Sequence, residues 1–79
     1  MHLEIITPEE KIYSGEVTSV SVPGTEGRFE MLKNHAPIIS TLANGQVKIK
    51  DSEGVKTFDV KGGVVENLKN KIIILAESV

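Results

Sequence analysis

The spacing of apolar residues along the chain follows the two-residue period of β-strands almost throughout. Val47 and Ile49 alternate with lysines, and Phe58 and Val60 alternate with polar residues. Alternation of this kind predicts strands that place one face on a core. No segment of ten residues keeps the period of a helix. The pattern therefore predicts an all-β domain.

Turn residues divide this pattern into short strands. The predicted strands occupy residues 2–6, 11–22, 28–32, 38–42, 46–50, 55–60, 64–68 and 72–76. The period breaks inside the second of these, which predicts a bulge or bend near Thr18 and Ser19. Asn44-Gly45 is the strongest short hairpin signal and predicts a tight turn between two neighbouring strands. Eight or more short strands with frequent turns indicate a sandwich or barrel.

The last predicted strand, from Ile72 to Ala76, is apolar on both faces. Such a strand is either central in a packed sandwich or covered by a partner. A chain of 79 residues forms one domain with a thin core, which leaves little room for an enclosed active site.

Composition excludes several classes of protein. Cysteine is absent, so disulfides and thiolate zinc sites are excluded. The net charge of −2 argues against a nucleic-acid binder, which typically carries a basic stripe. No apolar run reaches the roughly 20 residues that span a bilayer. The first residues also lack the basic and apolar regions of a signal peptide.

His35 is the first candidate for chemistry. A metal site would require further ligands, and His2 is the only other histidine. A catalytic base would require a nucleophile and an orienting acid, and no serine stands in such a context. Asn34 and His35 tolerate left-handed backbone geometry, and Pro37 stiffens the exit from the loop. We therefore interpret His35 as structural and predict no catalytic residue, no metal and no cofactor.

The remaining motifs are also typical of structure. Gly24 to Gly27 and the pair Gly62-Gly63 lack the lysine and the following helix of a phosphate-binding loop, which favours turns. Three scattered aromatic residues on an acidic chain predict core packing rather than base stacking. The residues by themselves indicate a small all-β domain that serves as a binding or assembly module.

Three collinear segments resemble the N-terminal β-sandwich domain of the epsilon subunit of F-type ATP synthase. They are residues 7–17, 22–38 and 60–78, and together they span nearly the whole chain. The middle segment carries a Gly-x-Glu-Gly turn followed by Asn-His-Ala-Pro, and the last carries paired glycines and an Ile-Leu-Ala ending. The resemblance implies a single domain, residues 1–79, of two packed sheets with about ten short strands.

The same resemblance implies a non-catalytic rotor subunit of the central stalk that couples ion translocation to ATP synthesis. Its implied partners are the gamma subunit and the ring of c subunits, with no nucleic acid. It would be a monomer within the complex, held peripherally at the cytoplasmic face of the bacterial inner membrane or its organellar equivalent. Contacts to the c-ring are expected at Arg28, Glu30 and His35. Contacts to gamma are expected at Ile38, Ser40, Leu42, Gly62 and Val64.

The sequence departs from the family pattern in three places. Arg28 stands where many members have an acidic residue, and Lys33 stands where many have proline. The sequence stops at Val79, whereas longer members continue into a helical hairpin that can bind nucleotide. The chain is then either a short member or a piece of a longer one, and we expect the β-sandwich itself to bind no nucleotide. The alternative is a free-standing OB-like barrel that binds a ligand or nucleic acid. Such a barrel would hide its apolar surface, whereas a rotor subunit exposes an apolar patch to its partner.

Overall fold

The computed structural model describes residues 1–78, and the regular structure in that range is entirely β. The strands within it are β1 (His2–Ile6), β2 (Lys11–Glu16), β3 (Ser19–Gly24), β4 (Gly27–Leu32), β5 (Ile38–Leu42), β6 (Gly45–Asp51), β7 (Gly54–Leu68) and β8 (Lys71–Ser78). The all-β prediction is confirmed. These are eight strands in residues 1–78 rather than about ten, and the segments predicted at 55–60 and 64–68 form one bent strand, β7.

The strands form one sheet that folds over on itself to give two layers. Layer one contains β2, β1, β8, the second half of β7, and β5, with β1 and β8 parallel. Layer two contains the first half of β7, β6, β3 and β4. The first half of β7 pairs with β6, and the second half pairs with β5 and β8. One strand thus belongs to both layers.

The bend that makes this possible lies at Gly62 and Gly63. Their φ angles are +67° and +130°, which side chains other than glycine rarely adopt. Gly63 also pairs with Leu42 on one side and with Ala76 on the other. A Cβ added to Gly63 would overlap the carbonyl oxygen of Leu75 and lie 2.9 Å from the Cα of Ala76. The paired glycines therefore serve as a bend, as predicted.

The core lies between the layers and follows the predicted alternation. Fully buried side chains come from strands of both layers: Leu3, Ile5, Val20, Val22, Met31, Val47, Ile49, Val65, Ile72 and Ile74. The three aromatic residues, Tyr13, Phe29 and Phe58, are partly buried and pack against this cluster. The ring centroids of Tyr13 and Phe58 are 5.7 Å apart. The prediction that the aromatic residues serve the core is confirmed.

The break predicted near Thr18 and Ser19 is present and is larger than a bulge. β2 ends at Glu16 in layer one, and β3 begins at Ser19 in layer two. Between them, the backbone N–H of Val17 donates to the carbonyl of Met1, and that of Thr18 donates to the carbonyl of Lys50 (both 2.8 Å). These two bonds satisfy the backbone where the chain changes layers.

The prediction of a hairpin turn at Asn44-Gly45 is wrong. Within residues 1–78, β5 does not pair with β6, since β5 pairs with β7 and β6 pairs with β3 and β7. A type I′ turn needs positive φ at both central residues, and neither Asn44 nor Gly45 has it. A Cβ on Gly45 would lie 2.8 Å from the Cβ of Pro23. Gly45 therefore permits a close approach to β3 where the chain passes between layers.

Candidate functional site

The outer surface of layer one carries an exposed apolar patch. The apolar face, as we call it, consists of Ile39, Val64, Leu68 and Leu75. Ile39 is 71% exposed and Leu75 is 53% exposed. Val64 pairs directly with Leu75, so these two side chains lie side by side on the sheet. Large exposed aliphatic side chains on adjacent strands are typical of a surface that a partner covers.

Strand alternation sorts the predicted gamma contacts onto different surfaces. Ile38 packs partly against the core and Leu42 is buried, so the even-numbered residues of β5 point inward with Ser40. Val64 belongs to the apolar face, and Gly62 lies at the bend of β7. The predicted gamma contacts are therefore not one continuous surface.

The residues named from the sequence as gamma contacts do not include Ile39, Leu68 and Leu75, the other members of the apolar face. Ile39 lies between Ile38 and Ser40, which were predicted from the sequence. Leu68 lies on β7, the strand that carries Gly62 and Val64, and Leu75 lies on β8, which pairs with β7. The apolar pattern on both sides of β5 and β8 was the signal. The apolar pattern could not show which side of these two strands faces solvent, because both sides carry large apolar residues.

The loop that contains His35 is held by backbone and amide hydrogen bonds. The N–H of His35 donates to the carbonyl of Leu32 (3.1 Å), and its Nδ1 donates to the carbonyl of Ala36 (2.8 Å). The N–H of Asn34 donates to Oδ1 of Asn70 (2.7 Å), and Nδ2 of Asn70 donates back to Oδ1 of Asn34 (3.1 Å). This exchange ties the loop to the β7–β8 turn. The arrangement supports the interpretation of His35 as structural.

The predicted c-ring residues Arg28 and Glu30 lie on the outer surface of layer two. Both are exposed on β4. The guanidinium of Arg28 donates to the carbonyl of Gln46, and it makes no ion pair with Glu30 among residues 1–78. Lys48 and Lys50 line the same shallow cavity of about 230 Å³. The surface around Glu30 is therefore basic.

One cluster of polar and charged side chains joins β2 to the turn between β6 and β7. The hydroxyl of Tyr13 donates to Oδ2 of Asp51 (2.9 Å), and Nζ of Lys56 lies 3.1 Å from the same oxygen. The hydrogen bond from Lys56, followed by that from the N–H of Glu53, lowers the pKa of the Asp51 carboxyl. Burial, followed by the hydrogen bond to Asp51, raises the pKa of the Tyr13 hydroxyl. The carboxylates of Asp51 and Glu53 both pair with the ammonium group of Lys56, which is typical of a structural role.

The described part of the chain holds no cluster of three His, Asp or Glu side chains that could bind a metal ion. In the same range, no helix is long and apolar enough to cross a membrane.

The sequence is similar to one family of known proteins over its whole length. The family model described as "ATP synthase, Delta/Epsilon chain, beta-sandwich domain" matches residues 1–79. The ATP synthase epsilon chain of Caulobacter vibrioides is 43% identical over 77 residues, which cover 98% of this chain and 90% of that relative. The epsilon chain of Leptospira interrogans is 44% identical over 77 residues, but the chain spans only 61% of its length.

Solved structures with the same fold belong to mitochondrial ATP synthases. A chain in the OSCP/F1/c-ring structure from Euglena gracilis superposes with a TM-score of 0.88 at 19% identity, covering 96% of this chain and 49% of that one. A chain in the central stalk/c-ring structure from Tetrahymena thermophila has a TM-score of 0.78 at 16% identity, covering 95% and 61%. At these identities the likeness shows the fold.

Proposed function

The chain belongs to the delta/epsilon family of ATP synthase β-sandwich domains, whose epsilon chains are non-catalytic subunits, and we propose from this that it is a rotor subunit of the central stalk. In this role it binds the gamma subunit through one surface and the ring of c subunits through another. It thereby couples ion translocation to ATP synthesis. It has no catalytic residue of its own and holds no nucleotide or other cofactor.

The observation that carries this proposal is the exposure of the apolar face. Gamma covers Ile39, Val64, Leu68 and Leu75, because these aliphatic side chains on adjacent strands gain most from removal from water. Val64 is the residue that the sequence prediction and this surface share. Ile38, Ser40 and Leu42 support the contact from behind, since they face inward on the strand that presents Ile39.

The c-ring contact lies at Arg28 and Glu30 on β4, with the loop of His35 at the end of the same strand. The basic surroundings of Glu30 suit a ring loop that carries acidic as well as basic groups. Arg28 meets the acidic groups, and Glu30 meets the basic ones. Both side chains are exposed, so we expect the contact to be sensitive to salt.

The position in the cell follows from these partners. The chain lies at the cytoplasmic face of the bacterial inner membrane or its organellar equivalent, and it is associated with the membrane only through the complex. One copy serves each complex. The rival function, an OB-like module for nucleic acid, requires exposed aromatic side chains for stacking, and Tyr13, Phe29 and Phe58 pack against the core instead.

The test compares two exposed aliphatic residues on opposite layers. Ile39→Asp alters the apolar face, and Val55→Asp alters layer two, where Val55 is 54% exposed. We expect Ile39→Asp to weaken binding to purified gamma at least about tenfold, because an apolar anchor is replaced by a desolvated charge. Val55→Asp should bind like the parent. Equal binding by both variants, with circular dichroism spectra unchanged, would exclude the apolar face as the gamma surface.

A further inference from the structure

The edge of β5 that faces away from β7 is open over most of its length. β5 pairs with β7 along the whole strand, but it pairs with β3 only where Leu42 meets Gly24. The turn between β3 and β4 covers the edge as far as Thr41, whose carbonyl accepts the N–H of Thr25 (3.1 Å). From there to the start of β5, no strand of residues 1–78 pairs with this edge. β5 therefore presents an unpaired sheet edge beside the apolar face.

Hydrogen bonds fix which backbone groups of β5 point to the open edge. In antiparallel pairs, the N–H and C=O of one residue point to the same neighbouring strand, and the next residue points the other way. The carbonyl of Thr41 accepts from the β3 side, and the N–H of Ala43 donates to the carbonyl of Pro23 on that side (2.8 Å). Ile39 lies two residues before Thr41, so its N–H and C=O also point away from β7. These two groups and the N–H of Thr41 have no backbone partner within the described chain.

β5 lacks the features that protect an open edge. Native sheets blunt such edges with charged side chains, proline or a bulge, because an open edge pairs readily with another chain. The strands at the two ends of the sheet follow this rule, since β4 carries Arg28 and Glu30 and β2 carries Lys11 and Glu16. β5 carries no charged residue. Its edge is therefore able to accept a further strand.

A cavity of about 310 Å³ lies beside the same edge, on the inner side of β5. Ile38 and Ser40 line it from β5, and Phe29 lines it from β4. A strand paired with Ile39 would extend layer one and turn alternate side chains to its inner and outer surfaces. The inner side chains would enter the cavity, and the outer ones would lie beside Ile39 on the apolar face. The edge thus offers both the backbone groups and the side-chain space that an added strand needs.

We propose that an extended segment of the gamma subunit pairs with the open edge of β5 and adds a strand to layer one. Its backbone accepts from the N–H groups of Ile39 and Thr41 and donates to the C=O of Ile39. Gamma is the occupant because Ile39 belongs to both the open edge and the apolar face, so a partner that covers that face reaches the edge. In strand addition, backbone hydrogen bonds supply affinity, and pockets for alternate side chains supply specificity. This inference rests on the proposed function, in which gamma covers the apolar face.

Backbone N-methylation of Ile39, introduced by chemical synthesis of the chain, tests the pairing directly. It removes the outward N–H, keeps the side chain and leaves the bonds from β5 to β7 in place. We expect it to weaken binding to purified gamma at least about tenfold, because it leaves a carbonyl of gamma without a donor. N-methylation of Leu32 is the matched control. The carbonyl of Leu32 accepts the N–H of His35, so its own N–H points to the open edge of β4, and this chain should bind gamma like the parent.

Amide hydrogen exchange provides a second measurement, on the unmodified chain. The amides of Ile39 and Thr41 should exchange fast in the free chain and become protected in the complex with gamma. The amide of Ser40 points to β7 and should be protected in both. Protection of Ile39 and Thr41 in the free chain would show that a second copy occupies the edge, which would overturn the inference.

The failure of this inference is distinguishable from that of the proposed function. If the chain N-methylated at Ile39 binds gamma like the parent, or if gamma leaves the exchange of Ile39 and Thr41 unchanged, no strand is added and the inference fails. The proposed function then stands as long as Ile39→Asp weakens binding. A parent chain that does not bind gamma overturns both.

Discussion

Replacing Gly63 by alanine should unfold or strongly destabilise the domain. Gly63 combines a φ of +130° with backbone packing against Leu75 and Ala76, so a methyl group meets carbonyl and Cα atoms that cannot turn aside. Gly54 provides a matched control. Its φ is +119°, and a Cβ added there would have no neighbour within 4 Å. Gly54→Ala therefore carries the conformational strain without the steric overlap.

The free-energy cost of the positive φ and that of the steric overlap can be estimated separately. A non-glycine residue in a sparsely populated backbone region costs on the order of 1–3 kcal/mol, which is the expected loss for Gly54→Ala. Overpacking in a close-packed interior costs about 1–3 kcal/mol more, so Gly63→Ala should lose about 2–6 kcal/mol. A chain of this length has a free energy of unfolding of roughly 4–12 kcal/mol, so the loss is a large share of it.

Thermal unfolding followed by circular dichroism measures both variants. Each 1 kcal/mol lowers the melting temperature by about 4–8 °C in a domain of this size, so the two variants should differ by at least several degrees. If Gly63→Ala melts at the same temperature as Gly54→Ala, the close approach of β7 to β8 is not what demands glycine. The account of the bend would then be wrong.

Two further predictions concern charged groups. Asp51 has a folded-state pKa below its ordinary value of 3.8, chiefly because of Lys56, so its stabilisation is present above pH 3.8 and is lost as the pH falls through the folded-state pKa. Asp51→Asn should therefore reduce the difference between urea midpoints measured at pH 7 and at pH 3, and a difference as large as the parent's would contradict this. Glu30→Lys and Glu30→Gln should lower ATP-driven proton pumping in reconstituted enzyme at low salt, with a smaller effect at high salt. Pumping equal to the parent at low salt would remove Glu30 from the c-ring contact.

The strands were predictable because their inward faces bury alternate apolar residues, as Val47 and Ile49 do in β6. The turns were harder to predict. Asn44-Gly45 has the preferred composition of a type I′ turn, but the two strands that it joins lie in different layers. The turn residues Lys69-Asn70, between β7 and β8, have φ values of +51° and +60° instead. Lys69-Asn70 forms a hairpin turn because β7 pairs with β8, and Asn44-Gly45 does not because β5 and β6 pair with other strands.

The candidate site was less predictable than the fold. The sequence placed a partner surface on β5 and on the second half of β7, and the structure exposes apolar residues on both strands. It could not choose between Ile38 and Ile39, since a shift of one residue exchanges the inner and outer faces of a strand.

A rotor subunit of an ATP synthase is purified together with the other subunits of the complex. The most direct test is to purify the tagged chain from gently solubilised native membranes and identify the proteins that come with it. We expect recovery of gamma, the c subunits and the catalytic subunits, and a lower yield of gamma and the catalytic subunits when the tagged chain carries Ile39→Asp. Recovery of the parent chain without gamma and the catalytic subunits would show that the chain is not a rotor subunit.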